Sequence, residues 1–237
     1  MTVPAVELID LHAGYGRIEV LRGISLVIPA GTVFALLGPN GAGKTTTLKA
    51  IDGRVQATSG CVHIGGTHVN GATTDDLARA GVCAVPEGRG IFPNLTVAEN
   101  LRMMTYAAPS LRQSDVEEKA YAQFPILGER RRQLAGTMSG GQQQMLAMAR
   151  VIVTDPSLLL VDELSMGLAP LIVDSLYDVL EGLADDGMSI LVVEQFARTA
   201  LRIAHYAAIL VQGRIAHQGE PADLHDALSA SYLGATA

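Results

Sequence analysis

Short apolar or alternating runs fill the first part of the chain, and segments of helical spacing follow. AVELIDL, EVLRGISLVI and TVFALLG predict strands separated by Gly and Pro. After Gly43 the pattern changes to a helix, KTTTLKAIDG, closed by Gly53. GCVHIGG predicts a further strand, TTDDLARAG a short helix, and VCAVP a strand stopped at Pro86. From Leu95 to about Val153 the spacing is mostly helical, in TVAENLRMMTYA, SDVEEKAYAQF and GQQQMLAMARVIV. The apolar run SLLLVD, the helix LIVDSLYDVLEGLADD and the strand SILVVE come next. In that helix Leu171, Ile172, Leu176, Val179, Leu180 and Leu183 share one face. FARTALRIA predicts another helix, YAAILVQGRIAHQG a hairpin, and ADLHDALSASYL a closing helix.

Apolar strands alternating with helices predict an α/β fold built on a mainly parallel sheet covered on both faces. The helical block, about residues 95–153, reads as an inserted α-helical subdomain, and the opening strands as a small antiparallel β subdomain. All of this fits one domain spanning residues 1–237. Hydrophobic residues make up 49% and charged residues 17%, enough for a sizeable core and against global disorder. With 4% aromatics and no Trp, that core is aliphatic. A formal net charge of -7 runs against a duplex-wrapping protein or a polybasic membrane binder, so no nucleic-acid partner is expected. Cys61 and Cys83 are too few for a disulfide framework and read as small buried hydrophobes. MTVPAVELID lacks the basic start and apolar core of a secretory signal. The uncharged stretch Gly23 to Gly43 is broken by Pro29, Gly31, Gly38, Pro39, Gly41 and Gly43, so it is not read as a membrane span. Any membrane role must then come through a partner.

Gly38-Pro39-Asn40-Gly41-Ala42-Gly43-Lys44-Thr45 matches G-x-x-x-x-G-K-S/T, with a strand leading in and a helix leading out. Glycines let successive N–H groups turn toward phosphate oxygens, and the helix start adds its positive dipole end. Lys44 supplies a compact cation for the terminal phosphates. Thr45 supplies a hydroxyl oxygen for Mg²⁺, and Thr46 completes the phosphate-binding set. Downstream, Leu158 to Val161 form a buried strand ending in Asp162 and Glu163. Asp162 is placed to ligate Mg²⁺ or its waters, and Glu163 to orient or deprotonate the attacking water. This chemistry belongs to a P-loop NTPase and names a nucleoside triphosphate.

Ser139, Gly140, Gly141 and Gln142 open a helix and form a second candidate anion site. With this element the chain resembles the ABC ATPase family, whose signature, LSGGQ, reads here Met138-Ser139-Gly140-Gly141-Gln142. The resemblance implies that two ATPase subunits dock head to tail, each ATP lying between one phosphate loop and the other signature. It also implies that Tyr15 stacks on adenine and that Glu87, where the family has a Gln, approaches Mg²⁺. Ser165-Met166-Gly167-Leu168 takes the D-loop position without the usual acidic residue. Gln195 takes the switch position of the usual His, and Leu164 stands where the family commonly has Pro, which leaves that loop less rigid. Glu163, Gln195 and Lys44 are the candidate catalytic residues.

The runs EGRGIFPNLTVAENL, FPILGERRRQLAGTMSGGQQQMLAMAR, SMGLAP and VVEQ resemble the ATP-binding subunits of branched-chain amino-acid importers, and urea or short-amide importers have closely similar ATPases. This resemblance implies a subunit at the cytoplasmic face of the cell membrane. Its partners would be a second, identical or homologous ATPase, membrane permease subunits and, indirectly, an extracytoplasmic binding protein. A DNA-repair or translation ATPase of the same family is the alternative class, against which stand the missing heptads, the missing cysteine cluster and the single phosphate loop. His63 and His68 lack a compelling metal spacing. The basic run Arg130-Arg131-Arg132 reads as a solvated helix end or a partner contact.

Overall fold

A computed structural model describes residues 2–88, 90–107 and 111–224. The expected closing helix lies, beyond Leu224, outside the described residues. The chain begins with an antiparallel pair, β1 (Val6–Tyr15) and β2 (Ile18–Ile28). β3 (Val33–Leu37) runs into the glycine loop and α1 (Lys44–Ile51). β4 (Ala57–Ile64) and β5 (Thr67–His68) form a hairpin, and α2 (Thr74–Arg79) leads to β6 (Val82–Val85). The helical block comprises α3 (Val97–Arg102), α4 (Met104–Ala107), α5 (Gln113–Gln123), α6 (Pro125–Glu129) and α7 (Gly140–Ile152). β7 (Leu158–Asp162), α8 (Pro170–Asp185), β8 (Ser189–Glu194) and α9 (Ala197–Ile203) precede the hairpin β9 (Tyr206–Val211) and β10 (Arg214–Gly219).

The strands form two sheets. One is antiparallel, in the order β2-β1-β4-β5; the other has the order β10-β9-β3-β8-β7-β6 and is parallel except at β10. The period of two along a strand explains why the central runs are apolar throughout. Val33, Ala35 and Leu37 of β3 face one core, with Leu101, Leu127, Leu146 and Leu176. Phe34 and Leu36 face the other, with Leu8, Leu11, Leu21, Leu48 and Ile51. β7 and β8 divide in the same way. Both faces of the large sheet are therefore covered, one by the helical block and α8, the other by α1 and the antiparallel sheet.

Three expectations need correction. Leu171 is 83% exposed, and the buried face of α8 runs through Val173, Leu176, Tyr177, Leu180 and Ala184. Leu171 lies in the first turn, past the edge of the core, and Tyr177 enters the core because its hydroxyl finds a buried partner. TVAENLRMMTYA is split at Met103 into α3 and α4, and the Thr105 hydroxyl donates to the Arg102 carbonyl at 2.8 Å, competing for a helix acceptor. Cys61 and Cys83 are free thiols and only half-buried, Cys61 on the side of β4 away from buried Val62 and Cys83 on the edge strand β6.

His63 and His68 face each other across the β4–β5 hairpin with ring centroids 5.1 Å apart. Among the described residues no group of three or more His, Cys, Asp or Glu is arranged to hold a metal ion. Arg130, Arg131 and Arg132 are exposed. No helix among the described residues is long and apolar enough to cross a membrane.

Candidate functional site

Parallel pairing aligns the carboxyl ends of β3, β8 and β7. Leu37 pairs with Glu194, and Val193 with Asp162. The loops leaving these three strands therefore converge at one end of the sheet, where open α/β sheets place their ligands.

The glycine loop leaves β3 with Gly38 at φ 155°, Gly41 at 78° and Gly43 at 110°. A side chain at Gly38 would put its Cβ 2.2 Å from the Leu210 carbonyl oxygen, so only glycine lets the loop pass under β9. α1 then starts at Lys44 with no side chain capping it. A helix start leaves its first N–H groups without intrahelical acceptors, which suits an anion. Val20, Asn40, Gly41, Gly43, Lys44, Thr45, Thr46 and Glu163 line a cavity of about 290 Å³ at this point. Pro39 and Ala42 shape the loop itself, the Ala42 N–H donating to the Pro39 carbonyl at 3.2 Å.

Lys44 is 4% exposed, and its Nζ donates to the carbonyls of Gly38 (3.0 Å) and Pro39 (3.2 Å). The same Nζ lies 3.7 Å from Glu163 Oε1. Thr45 Oγ1 donates to Asp162 Oδ1 at 3.1 Å, tying the loop to the end of β7. Asp162 is 5% exposed. Burial pushes its carboxyl up to about 6; the Thr45 hydrogen bond opposes this, and the charges of Glu163 and Glu87 add to it. Glu87, exposed, joins Asp162 and Glu163 around a second cleft of about 670 Å³, with Gln143, Gln144 and Met166. Glu163 borders both cavities.

Tyr15 is 47% exposed at the tip of the β1–β2 hairpin, with Lys49 Nζ 6.0 Å from its ring centroid. Ile18, its cross-strand partner, is 70% exposed, and Val20 two residues on reaches the loop cavity. The hairpin so sets an open apolar face beside the glycine loop. No motif marks Ile18 and Val20; their only signal in the sequence is the strand alternation that follows the turn after Tyr15.

Ser139 caps α7. Its Oγ accepts from the Gln142 N–H at 3.4 Å, and Gln142 Oε1 accepts from the Ser139 N–H at 3.2 Å. Gly141 has a packing role, since an added Cβ would meet Ile172 Cγ2 at 2.7 Å. None of Ser139, Gly140, Gly141 and Gln142 lines the loop cavity, so one copy of the chain does not bring the two candidate anion sites together. Gln195 follows β8, half-buried, and lines neither cavity.

Sequence reasoning also missed Glu194. It is 1% exposed, and its carboxylate accepts from the Ser165 N–H (2.9 Å), the Ser165 hydroxyl (2.8 Å) and the Tyr177 hydroxyl (2.9 Å). Its one signal was a carboxylate ending an otherwise apolar strand.

The ABC transporter family profile matches residues 21–165. The chain is 41% identical over 201 residues to the high-affinity branched-chain amino acid transport ATP-binding protein BraG of Pseudomonas aeruginosa, covering 85% of this chain and 86% of that protein. It is 35% identical to the probable branched-chain amino acid transport ATP-binding protein LivF of Archaeoglobus fulgidus, covering 91% and 92%. It is 32% identical to a Nod factor export ATP-binding protein of Paraburkholderia xenovorans, covering 99% and 75%. Among solved structures, an ATP-binding subunit of an ABC transporter superposes with a TM-score of 0.82 at 28% identity, covering 96% of this chain and 94% of the other. The profile match, these identities and the shared fold agree: the chain belongs to the ABC transporter family as an ATP-hydrolysing, ATP-binding subunit, and is similar to branched-chain amino acid transport ATP-binding proteins.

Proposed function

We propose that this subunit binds ATP and Mg²⁺ between its own glycine loop and the Ser139–Gln142 helix start of a second ATPase subunit, and that hydrolysis drives import of branched-chain amino acids. The observation that carries this reading is the division of the site. Lys44, Thr45, Asp162 and Glu163 meet around the loop, whereas the second anion-binding element lies off that cavity. A second copy or a homologue supplies the missing face. BraG and LivF carry branched-chain amino acid transport in their names, which supports the cargo.

The donor set fits a hard divalent cation. Thr45 offers a hydroxyl oxygen, and Asp162 is a buried carboxyl crowded by Glu163 and Glu87. No protein cluster holds a metal alone among the described residues, in keeping with a cation that takes its other oxygens from phosphate and water. Bound there, Mg²⁺ would neutralise phosphate charge. Lys44 turns from the loop carbonyls toward the terminal phosphates. Glu163 accepts the proton of the attacking water, and Gln195 donates a hydrogen bond to the γ-phosphate without titrating near neutral pH. Tyr15 and Ile18 give adenine an apolar face, and stacking of this kind contributes roughly 1–3 kcal/mol. The membrane partner meets the groove between β6 and the helical block, lined by Cys83, Pro86, Met104 and Arg150, so closure of the ATPase pair moves the membrane subunits.

Only ionised Asp162 can ligate a cation, and its carboxyl titrates at about 6. Protons therefore compete with Mg²⁺ as pH falls. Mg²⁺-dependent ATP affinity is expected to be full above about pH 7 and to fall by up to about tenfold per pH unit below 6. Asp162→Asn is expected to lose both the affinity and the Asp162 part of the slope. A titration with a fluorescent nucleotide from pH 5 to 8 measures it, and equal slopes in both proteins refute it.

The cargo is tested with the complete transporter in vesicles, by ATP-dependent uptake of labelled leucine, urea and acetamide. Leucine uptake is the expected result. Uptake of urea or acetamide without leucine replaces the cargo and leaves the ATPase reading intact. Copurification with ribosomes or DNA in place of membrane subunits overturns the transport reading.

A further inference from the structure

Glu163 has a left-handed backbone, φ 47°, a conformation strained for a non-glycine residue that persists only where the surroundings hold it. The holding contacts lie at the end of β8. The Glu163 N–H donates to the Val193 carbonyl at 2.9 Å. Two residues on, both donors of Ser165 go to Glu194: the N–H to Oε1 at 2.9 Å and the hydroxyl to Oε2 at 2.8 Å. Leu164 between them is 1% exposed and packs in the core. Behind the carboxylate, the fully buried Tyr177 donates its hydroxyl to Oε1 at 2.9 Å.

We propose that Glu194 is a positioning residue for ATP hydrolysis: anchored by Tyr177, its carboxylate staples the backbone around Leu164 to β8 and so sets where the Glu163 carboxylate points. The staple also joins Glu163 on one strand end to Gln195, the neighbour of Glu194, on the next. Burial raises the Glu194 carboxyl, and its three donors oppose that. A buried carboxylate with three donors could serve packing alone. The positioning role differs in acting on kcat through Glu163.

The proposal rests on the base role given to Glu163. In the assembled transporter, Glu194→Gln and Ser165→Ala are expected to lower kcat for ATP about tenfold with KM within about twofold, because misplacing a reacting group costs rate more than binding. In Glu194→Gln the amide oxygen still has room for the Ser165 N–H and the Tyr177 hydroxyl, but the NH2 faces the Ser165 hydroxyl, which loses its charged acceptor. Ser165→Thr, which keeps the hydroxyl, is expected to restore kcat. In a Glu163→Gln background neither substitution is expected to lower turnover further. Unchanged kcat, a raised KM alone, or the same fold-loss in that background overturns the positioning role. Should Glu194→Gln fail to fold, Tyr177→Phe and Ser165→Ala each delete one donor, keep the carboxylate, and carry the same test. If Glu163→Gln retains full turnover, the base role fails. If Glu163→Gln is inactive while Glu194→Gln is fully active, only the positioning role fails.

Discussion

Lys44→Ala is expected to weaken ATP binding at least ~100-fold and to abolish turnover, because the loss of charge-assisted hydrogen bonds at about 1.5–3 kcal/mol each adds up to that much. The Nζ is held by the carbonyls of Gly38 and Pro39 at 3.0 and 3.2 Å, ready to exchange them for phosphate oxygens of full negative charge. Its removal also leaves Glu163 without the ammonium that lies 3.7 Å from its Oε1. Lys44→Arg is expected to recover little, since a planar fork cannot curl back over two adjacent carbonyls as an ammonium does. Fluorescent-nucleotide titration and phosphate release measure both effects. Binding within about threefold of the unaltered protein would place Lys44 off the phosphates.

Glu163→Gln is expected to slow hydrolysis by about 10²–10⁴-fold, the range of general-base catalysis, while ATP still binds. The amide keeps the shape but cannot take a proton from water. Because it also removes a negative charge beside Asp162, the Asp162 carboxyl titrates lower, and Mg²⁺-dependent binding extends to lower pH. ATP-loaded pairs accumulate in place of turning over, which size-exclusion chromatography with ATP reads as a shift to the dimer. Turnover at the unaltered rate would remove Glu163 from the chemistry.

The legible parts of this protein share one property: the residues that act together lie close along the chain. The glycine loop needs Gly38, Gly41, Gly43 and Lys44 within one turn and the start of one helix. The carboxylate pair at Asp162 and Glu163 reads directly as the end of an apolar run, and Ser139 with Gln142 is a capping box inside four residues. The core strands were readable as well, because a strand buried on both faces is apolar at every position, as β3 and β7 are. The misjudged positions depend on neighbours from elsewhere. Leu171 has the right spacing for the buried face of α8 yet is 83% exposed, while its neighbours Ile172 and Val173 in the same turn pack on the core. Tyr177 looks like a break in an aliphatic face and is buried because Glu194 accepts its hydroxyl.

Spacing within the chain thus determined the glycine loop, its lysine and threonine, the paired carboxylates, and the alternation of strands and helices. The fold alone decided which strand ends stand side by side: β8 between β3 and β7, so that Leu37, Glu194 and Asp162 come into register. It also decided that Ser165 meets a carboxylate 29 positions away, and that Ser139–Gln142 stays clear of the chain's own loop. The reason is physical. Periodicity and loop chemistry act through neighbouring backbone groups, whereas parallel strand pairing and the burial of a carboxylate are set by partners that only chain crossings bring together.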